Sequence, residues 1–142
     1  MLNADYIAGL VDGEGSFTVY VRNPNLKIRR VRRVRTEPRF YVKLIEKDKA
    51  ILYSLKRFFG CGNVYFQRDE RPNHQNCYRY EVANRDDLRR IIIPFFRKNR
   101  LKLRSKQKDF LLFRKLFEKI EKGEHLTDEG LKSIYRLKQK MH

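Results

Sequence analysis

The 142-residue chain contains no tryptophan, two cysteines, four prolines and three histidines. Cys61 and Cys77 have no CxxC partner, which disfavours a zinc site and favours free thiols in a reducing compartment. No apolar run approaches the roughly 20 residues of a membrane span, and the N-terminus lacks the basic-then-apolar pattern of a signal peptide. We therefore expect an intracellular protein, in the cytoplasm of a prokaryote or in an organelle, that is neither secreted nor bound to a membrane.

Acidic residues are scarce relative to basic ones. Thirty-four Lys and Arg against seventeen Asp and Glu leave a formal net charge of +17. Such an excess favours a polyanionic partner that relieves the self-repulsion, and nucleic acid is the commonest one. A thermophile surface rich in Lys and Glu is the alternative, but its charges would be closer to balance.

The apolar periodicity predicts one α+β domain over residues 1–142, because no Pro/Gly/Ser-rich linker divides the chain. The predicted elements are, in order, a helix after Asn3, a strand at 16–22, a strand through Phe40, Val42 and Leu44, a helix at 47–59, strands at 62–68 and 76–83, a helix from Asn84 that Pro94 closes, and two C-terminal helices, of which the last begins at Thr127 and ends near Met141. The apolar side chains of the helix at 47–59 are expected to be buried, Phe58 among them.

The first helix has a face of small and acidic residues. At 100° per residue, one sector holds Asp5, Ala8, Gly9 and Asp12, and the opposite sector holds Ile7, Leu10 and Val11. Ala and Gly on a helix face are useful mainly where another backbone packs closely. Two interpretations stay open: the small residues are spacers against the protein's own sheet, or they contact a second chain.

Glu14 follows at the C-terminus of this helix, where the unpaired carbonyl groups are already negative. A carboxylate at this position is unfavourable by roughly 0.3–1 kcal/mol. A divalent cation bound by Glu14 and the carbonyl oxygen of Gly13 would make the carboxylate electrostatically favourable there. Mg²⁺ prefers such an all-oxygen site. In a basic protein, this site next to polar strands suggests hydrolysis of phosphodiesters.

The stretch IAGLVDGEGSF closely resembles the signature of the LAGLIDADG homing endonucleases. The resemblance continues, in the family's order, through PRFYV, LKRFFGCGNVY, YRYEVANRDDL, IIIPFF, KQKDFLLF and HLTDEGL. It implies the αββαββα saddle of that family with extra C-terminal helices. It further implies that Glu14, in place of the usual Asp, binds catalytic Mg²⁺ with Gly13, and that Ca²⁺ binds without supporting cleavage.

Only one copy of the motif is present, and the resemblance therefore implies a homodimer. Its interface residues would be Asp5, Ala8, Gly9 and Asp12, on two motif helices that pack together. The accessory catalytic residues implied by the resemblance are Glu46, Lys49, Arg104 and Lys106. For each of these four, a solvated surface charge is the alternative.

Outward-facing strand residues are expected to read bases in the major groove, which admits a β-ribbon. These candidates are Ser16, Thr18, Tyr20, Arg22, Arg39, Tyr41 and Lys43 in the first two strands, and Asn63, Tyr65, Gln67, Arg79 and Glu81 in the next two. The basic run from Lys27 to Arg35 is expected to contact phosphates, with Arg30, Arg32, Arg33 and Arg35 as candidates.

The function predicted from these features is a site-specific endonuclease that makes a metal-dependent double-strand break in a long, near-palindromic duplex. No small-molecule cofactor is expected. A noncatalytic nucleic-acid binder or an RNA maturase on the same scaffold is the alternative.

Overall fold

A computed structural model describes residues 1–25 and 35–142 of the chain. The helices are α1 (Ala4–Glu14), α2 (Lys49–Phe59), α3 (Arg85–Asp87), α4 (Ile93–Lys98), α5 (Arg104–Glu121) and α6 (Asp128–Lys138), and the strands are β1 (Gly15–Val21), β2 (Thr36–Ile45), β3 (Asn63–Gln67) and β4 (Cys77–Val82). Short 3₁₀ turns at Glu46–Asp48 and Glu124–Leu126 precede α2 and α6, and a π-helical turn at Leu88–Ile92 joins α3 to α4. Within the described residues, no helix is long and apolar enough to cross a membrane.

The four strands form one antiparallel sheet in the order β1-β2-β4-β3. Gly15 pairs with Val42 in the outer ladder, and Phe40 pairs with Val82 in the central one. Alternate residues are buried along β1 and over much of β2, so that one sheet face meets the core and the other carries polar side chains. This arrangement confirms the α+β architecture predicted from the sequence.

An aromatic cluster forms the centre of the core beneath the sheet. Phe17 of β1 lies with its ring centroid 5.0 Å from those of Phe40 and Phe110, and 5.3 Å from those of Phe96 and Phe113. These five side chains are at most 2% exposed. Each such burial contributes about 1.5–3 kcal/mol, and the cluster therefore fixes α5 against β1 and β2.

The helix ends follow local side-chain chemistry. Asn3, Asn84 and Thr127 each cap a helix by accepting a hydrogen bond from a backbone N–H three residues later, at 2.8–3.0 Å. Gly60 ends α2 in the left-handed region at φ +69°, which favours glycine. The three predicted N-caps and the glycine C-cap are confirmed, whereas α6 ends at Lys138, three residues before the predicted end near Met141.

Two predictions about the helices are wrong. Pro94 does not close a helix, because the preceding π-helical turn shifts the hydrogen-bond pattern and the chain continues helically to Lys98. Phe58 is 43% exposed rather than buried. Leu52, Leu55 and Phe59 occupy the buried stripe of α2, and Phe58 lies beside it with its ring edge against Phe59 and Phe95.

Candidate functional site

Glu14 lies where α1 passes directly into β1. It is the last residue of α1 and is exposed, and β1 begins at Gly15 without an intervening loop. The Gly15 N–H donates to the Val11 carbonyl. A Cβ at Gly15 would stand 2.6 Å from Val11 Cγ1 and 2.9 Å from Val11 Cα, so the close turn from helix to strand requires glycine.

Lys106 brings a positive charge to this junction. Its Nζ donates a hydrogen bond to the carbonyl oxygen of Gly15, the residue directly after Glu14, and its side chain is half-buried. Both Lys106 and Arg104 lie in the first turn of α5 rather than in a connector before the helix. The structure thus places Lys106 beside the Glu14–Gly15 junction.

Asp12 holds the start of α5 against α1. Its carboxylate accepts hydrogen bonds from the backbone N–H of Lys102, at 2.9 and 3.1 Å, and from that of Leu103, at 3.2 Å. Leu103 directly precedes α5, so this contact fixes the position from which Lys106 reaches Gly15. Asp12 was predicted from the sequence to lie at a dimer interface, and this contact within the chain was not predicted.

Glu46 and Lys49 lie beyond the end of β2. The Glu46 N–H donates to the Asn76 carbonyl at 3.0 Å, and the Lys49 ammonium lies 5.1 Å from the centroid of the Tyr78 ring. In the described part of the chain, neither side chain forms a hydrogen bond or ion pair with Glu14 or Lys106. Nor do three His, Cys, Asp or Glu side chains gather into a metal-binding group there.

The outer face of α1 is open. Asp5 and Gly9 are exposed, Ala8 is half-buried, and a Cβ added at Gly9 or Gly13 would meet nothing within 4 Å. The interpretation of Gly9 as a spacer against the protein's own sheet is therefore wrong. This face borders a depression of about 280 Å³, lined also by Lys98, Asn99, Arg100 and Lys102.

The outer face of the sheet carries the residues predicted to read bases. Thr18, Tyr41 and Gln67 are half-buried there, as are Ser16 and Tyr20, whereas Lys43, Asn63 and Tyr65 are exposed. Arg22 follows β1, and its N–H donates to the Arg35 carbonyl at 2.8 Å. The predicted alternation is thus present along β1 and over much of β2, whereas in β3 the neighbouring residues Tyr65 and Phe66 are both exposed.

Four charged residues meet at the centre of this outer face. Arg39 pairs with Glu37 at 2.6 Å and with Glu81 at 3.6 Å, and Arg79 pairs with Glu81 at 3.3 Å. The Arg79 guanidinium also lies 3.5 Å above the centroid of the Tyr41 ring. The hydrogen bond that the Arg39 guanidinium donates to Glu37 is the main cause that raises the pKa of Arg39, and the charge of Glu81 adds to it.

Helix α6 flanks the outer face along β1. Tyr135, Lys138 and Gln139 line a groove of about 430 Å³ together with Thr18 and Tyr20. Sequence reasoning missed these three residues, although their spacing of three and four marks one helix face. Only the structure shows that this face borders the strands.

Arg35 ends the basic segment before β2 and is one of the predicted phosphate contacts. Its guanidinium donates hydrogen bonds to the backbone carbonyls of Leu126 at 2.8 Å and His125 at 3.4 Å. It therefore ties the start of β2 to the turn before α6. Arg30, Arg32 and Arg33 lie outside the described residues.

These features define a helix-backed antiparallel sheet with a charged outer face, joined to a glycine-containing helix that ends in a carboxylate. The sequence pattern of the LAGLIDADG endonucleases matches residues 7–117. The chain therefore belongs to the LAGLIDADG endonuclease family.

Individual relatives agree with this assignment. The chain is 34% identical over 134 residues to the "Probable intron-encoded endonuclease 2" of Neurospora crassa. The matched region covers 94% of this chain and 28% of that protein. The crystal structure of the homing endonuclease I-TnaI superimposes with a TM-score of 0.79 at 37% identity, over 99% of this chain and 88% of that one. The homing endonuclease I-SmaMI, solved on uncleaved DNA with calcium ions, superimposes with a TM-score of 0.79 at 35% identity, over all of this chain and 45% of that one.

Proposed function

We propose that this chain is a site-specific DNA endonuclease that makes a divalent-metal-dependent double-strand break as a pair of identical chains. The observation that carries the proposal is the junction of α1 and β1, where the exposed Glu14 directly precedes Gly15, whose carbonyl oxygen accepts a hydrogen bond from Lys106. A carboxylate and a nearby ammonium are suited to binding a cation and orienting a phosphate. The family assignment and the DNA-bound relative I-SmaMI support this chemistry.

The residues at the junction fit a hard divalent cation. Glu14 supplies an exposed carboxylate at a helix C-terminus, and no ion pair within the described residues neutralises it. Glu14 and the backbone carbonyl of Gly13 would hold Mg²⁺, which favours oxygen ligands. The metal would supply Lewis-acid activation of the phosphodiester. Ca²⁺ takes the same ligands at longer distances, and we propose that it binds without supporting cleavage.

Lys106 is proposed as the catalytic residue that acts beside the cation. Its ammonium would orient the scissile phosphate or the attacking water, because it is fixed at Gly15 by one hydrogen bond and retains two further N–H donors. Arg104 shares the first turn of α5 and would add positive charge toward the phosphate. Glu46 and Lys49, just beyond the end of β2, are proposed as accessory catalytic residues, with Lys49 reaching toward the scissile phosphate.

A second copy of the chain would complete the enzyme. One copy carries one Glu14, for one DNA strand, and cleavage of both strands would use two. The open face of Asp5, Ala8 and Gly9 would admit the same face of a partner, since a Cβ added at Gly9 meets no atom of another described element within 4 Å. The relative I-TnaI has a chain of comparable length, of which this chain covers 88%, whereas it covers 45% of I-SmaMI.

The outer sheet face is proposed to read the duplex. Its Arg, Asn and Gln side chains suit the acceptors and donors of guanine and adenine in the major groove. Lys138 of α6, at the rim of the groove along β1, would contact a phosphate and fix the register without reading sequence. Two symmetric copies would thus recognise a near-palindromic site.

Cleavage of a plasmid library that carries a randomised insert tests the proposed function. The purified chain is incubated with Mg²⁺, with Ca²⁺ or with EDTA, and the linearised products are sequenced. With Mg²⁺, we expect a recurring near-palindromic sequence at the cut ends. With Ca²⁺, we expect sequences to be enriched by binding alone, without cleavage. Sequence-specific binding without cleavage in Mg²⁺ would contradict the enzyme and favour a noncatalytic binder.

A further inference from the structure

The centre of the outer sheet face is electrically neutral in a strongly basic protein. Arg39 and Arg79 carry two positive charges, and Glu37 and Glu81 carry two negative ones, in a chain of formal net charge +17. The four side chains, here named the central quartet, come from the neighbouring strands β2 and β4. A surface built only for affinity to phosphates would have no use for the two carboxylates.

Contacts within the central quartet hold both guanidinium groups in place. The Arg39–Glu37 pair at 2.6 Å is a short charge-assisted contact, and Glu81 Oε1 is shared between Arg39 at 3.6 Å and Arg79 at 3.3 Å. Tyr41 packs against the guanidinium of Arg79. The Glu81 and Arg79 side chains are only 15% and 20% exposed, so water screens their contact less than an ordinary surface pair.

The carboxylates leave part of the donor capacity unused. A guanidinium has five N–H donors, and the ion pairs engage only Nη1 and Nη2 of Arg39 and Nη2 of Arg79, whose side chains remain 32% and 20% exposed. The quartet therefore holds these guanidinium groups in place without using all of their N–H donors. An acceptor pair in a fixed orientation, such as guanine O6 and N7, could use the remaining donors.

We propose that Glu37 and Glu81 are specificity-determining residues that restrain Arg39 and Arg79 from binding phosphates, so that the central quartet favours only a duplex with acceptors at the matching base edges. This inference rests on the proposed function and deepens it. On a non-matching duplex the quartet adds no net attraction, because each guanidinium stays with its carboxylate. On a matching duplex, the guanidinium donors gain base acceptors while the carboxylates keep the guanidinium groups oriented.

The test compares Glu37→Gln/Glu81→Gln with the parent protein. Glutamine keeps the side-chain length and removes the charge, so the guanidinium groups are freed to contact phosphates. With a fixed arbitrary 30-base-pair duplex in Ca²⁺, we expect roughly tenfold tighter binding at low salt, and a steeper salt dependence by up to about two units per copy. In selection from a randomised duplex library, we expect a consensus with weaker preference at several positions than the parent selects.

Two controls separate this effect from total charge. Glu118→Gln/Glu129→Gln changes the net charge equally, on the exposed surfaces of α5 and α6. This variant should keep the parent's consensus and bind the arbitrary duplex within about twofold of the parent. Adding Arg39→Gln and Arg79→Gln to the quartet variant should abolish its extra affinity for the arbitrary duplex, because the effect acts through the two guanidinium groups. Melting curves confirm that each protein is folded.

The outcomes distinguish this inference from the proposed function. If the parent selects a consensus and the quartet variant selects the same one with equal sharpness, the inference is wrong and the function stands. An equal gain in affinity for both double variants also overturns the inference, since charge alone would explain it. If the parent selects no consensus at all, the proposed function is wrong and the inference fails with it.

Discussion

The two faces of α1 differ in what the chain itself requires of them. Ile7 and Val11 are fully buried on one face, and Gly15 directly after the helix has no room for a Cβ beside Val11. On the other face, a Cβ at Gly9 or Gly13 would meet nothing within 4 Å. Contacts within the chain therefore require glycine at position 15, whereas no contact within the described residues requires it at Gly9 or Gly13.

This difference separates folding from assembly. Changes on the buried face should alter the stability of a single copy, because the contacts already lie within it. Changes on the open face should leave a single copy stable and should alter the proposed pairing with a second copy. Four substitutions test this comparison, in order of decreasing expected effect.

Glu14→Gln should have the largest effect, at the junction of the two faces. It keeps the size of the side chain and removes the charge proposed to hold Mg²⁺, so single-turnover cleavage should fall by about three orders of magnitude or more. DNA binding should stay within about twofold, since affinity arises mainly from phosphate contacts. Glu14→Asp should keep partial activity. Cleavage by Glu14→Gln near the parent rate would place the catalytic centre elsewhere.

Gly9→Leu should weaken dimerisation without unfolding the single copy. The added side chain meets no atom of its own chain near Cβ, but it would overpack a close contact between two α1 helices by about 1–3 kcal/mol. Sedimentation over a concentration series should show a dissociation constant raised by roughly 10- to 100-fold. Lys115→Leu, at an exposed position of α5, is the control for an added surface leucine. An unchanged dimer would remove the interface assignment.

Gly15→Ala should destabilise the single copy by about 1–3 kcal/mol, through the clash with Val11. The Val11 Cα lies 2.9 Å from the added Cβ, and a backbone atom cannot move away as a flexible side-chain end can. Gly9→Ala is the matched control and should be neutral or stabilising by up to about 1 kcal/mol, from helix propensity. Urea unfolding at dilute protein measures both. Equal stability of the two variants would contradict the comparison.

Local chemistry explains which parts of the fold were predictable from the sequence. The caps at Asn3, Asn84 and Thr127 depend on residues three positions away, and the sequence contains all of that information. Helix continuation through Pro94 depends on a π-helical turn, which no spacing rule announces.

In the candidate site, too, local patterns could be predicted from the sequence and contacts between distant residues could not. Glu14 was identified from helix electrostatics and from the family motif, and Lys106 from the motif alone. The contact of Asp12 with Lys102 joins residues 90 positions apart, and the contacts of Arg35 with the turn before α6 span a similar separation. Such contacts depend on how distant elements pack, which periodicity does not encode.

Asp12→Asn should have the smallest effect, and its sign is informative. Asp12 lies in the last turn of α1, where the helix dipole opposes negative charge, so the dipole alone would make Asn stabilising by about 0.3–1 kcal/mol. The carboxylate, however, accepts from two backbone N–H groups at the start of α5, and a neutral amide oxygen makes weaker bonds to them. We expect the second effect to exceed the first, with a net loss of about 0.5 kcal/mol in the free energy of unfolding at dilute protein.

Asp5→Asn, in the first turn of the same helix, is the control. Among the described residues Asp5 makes no such contact, so this variant should lose only the favourable dipole interaction of about 0.3–1 kcal/mol. The dipole alone thus predicts changes of opposite sign in the free energy of unfolding for the two substitutions. The contact of Asp12 with α5 instead predicts a loss of stability for both. A more stable Asp12→Asn would mean that this contact contributes little to joining α1 and α5.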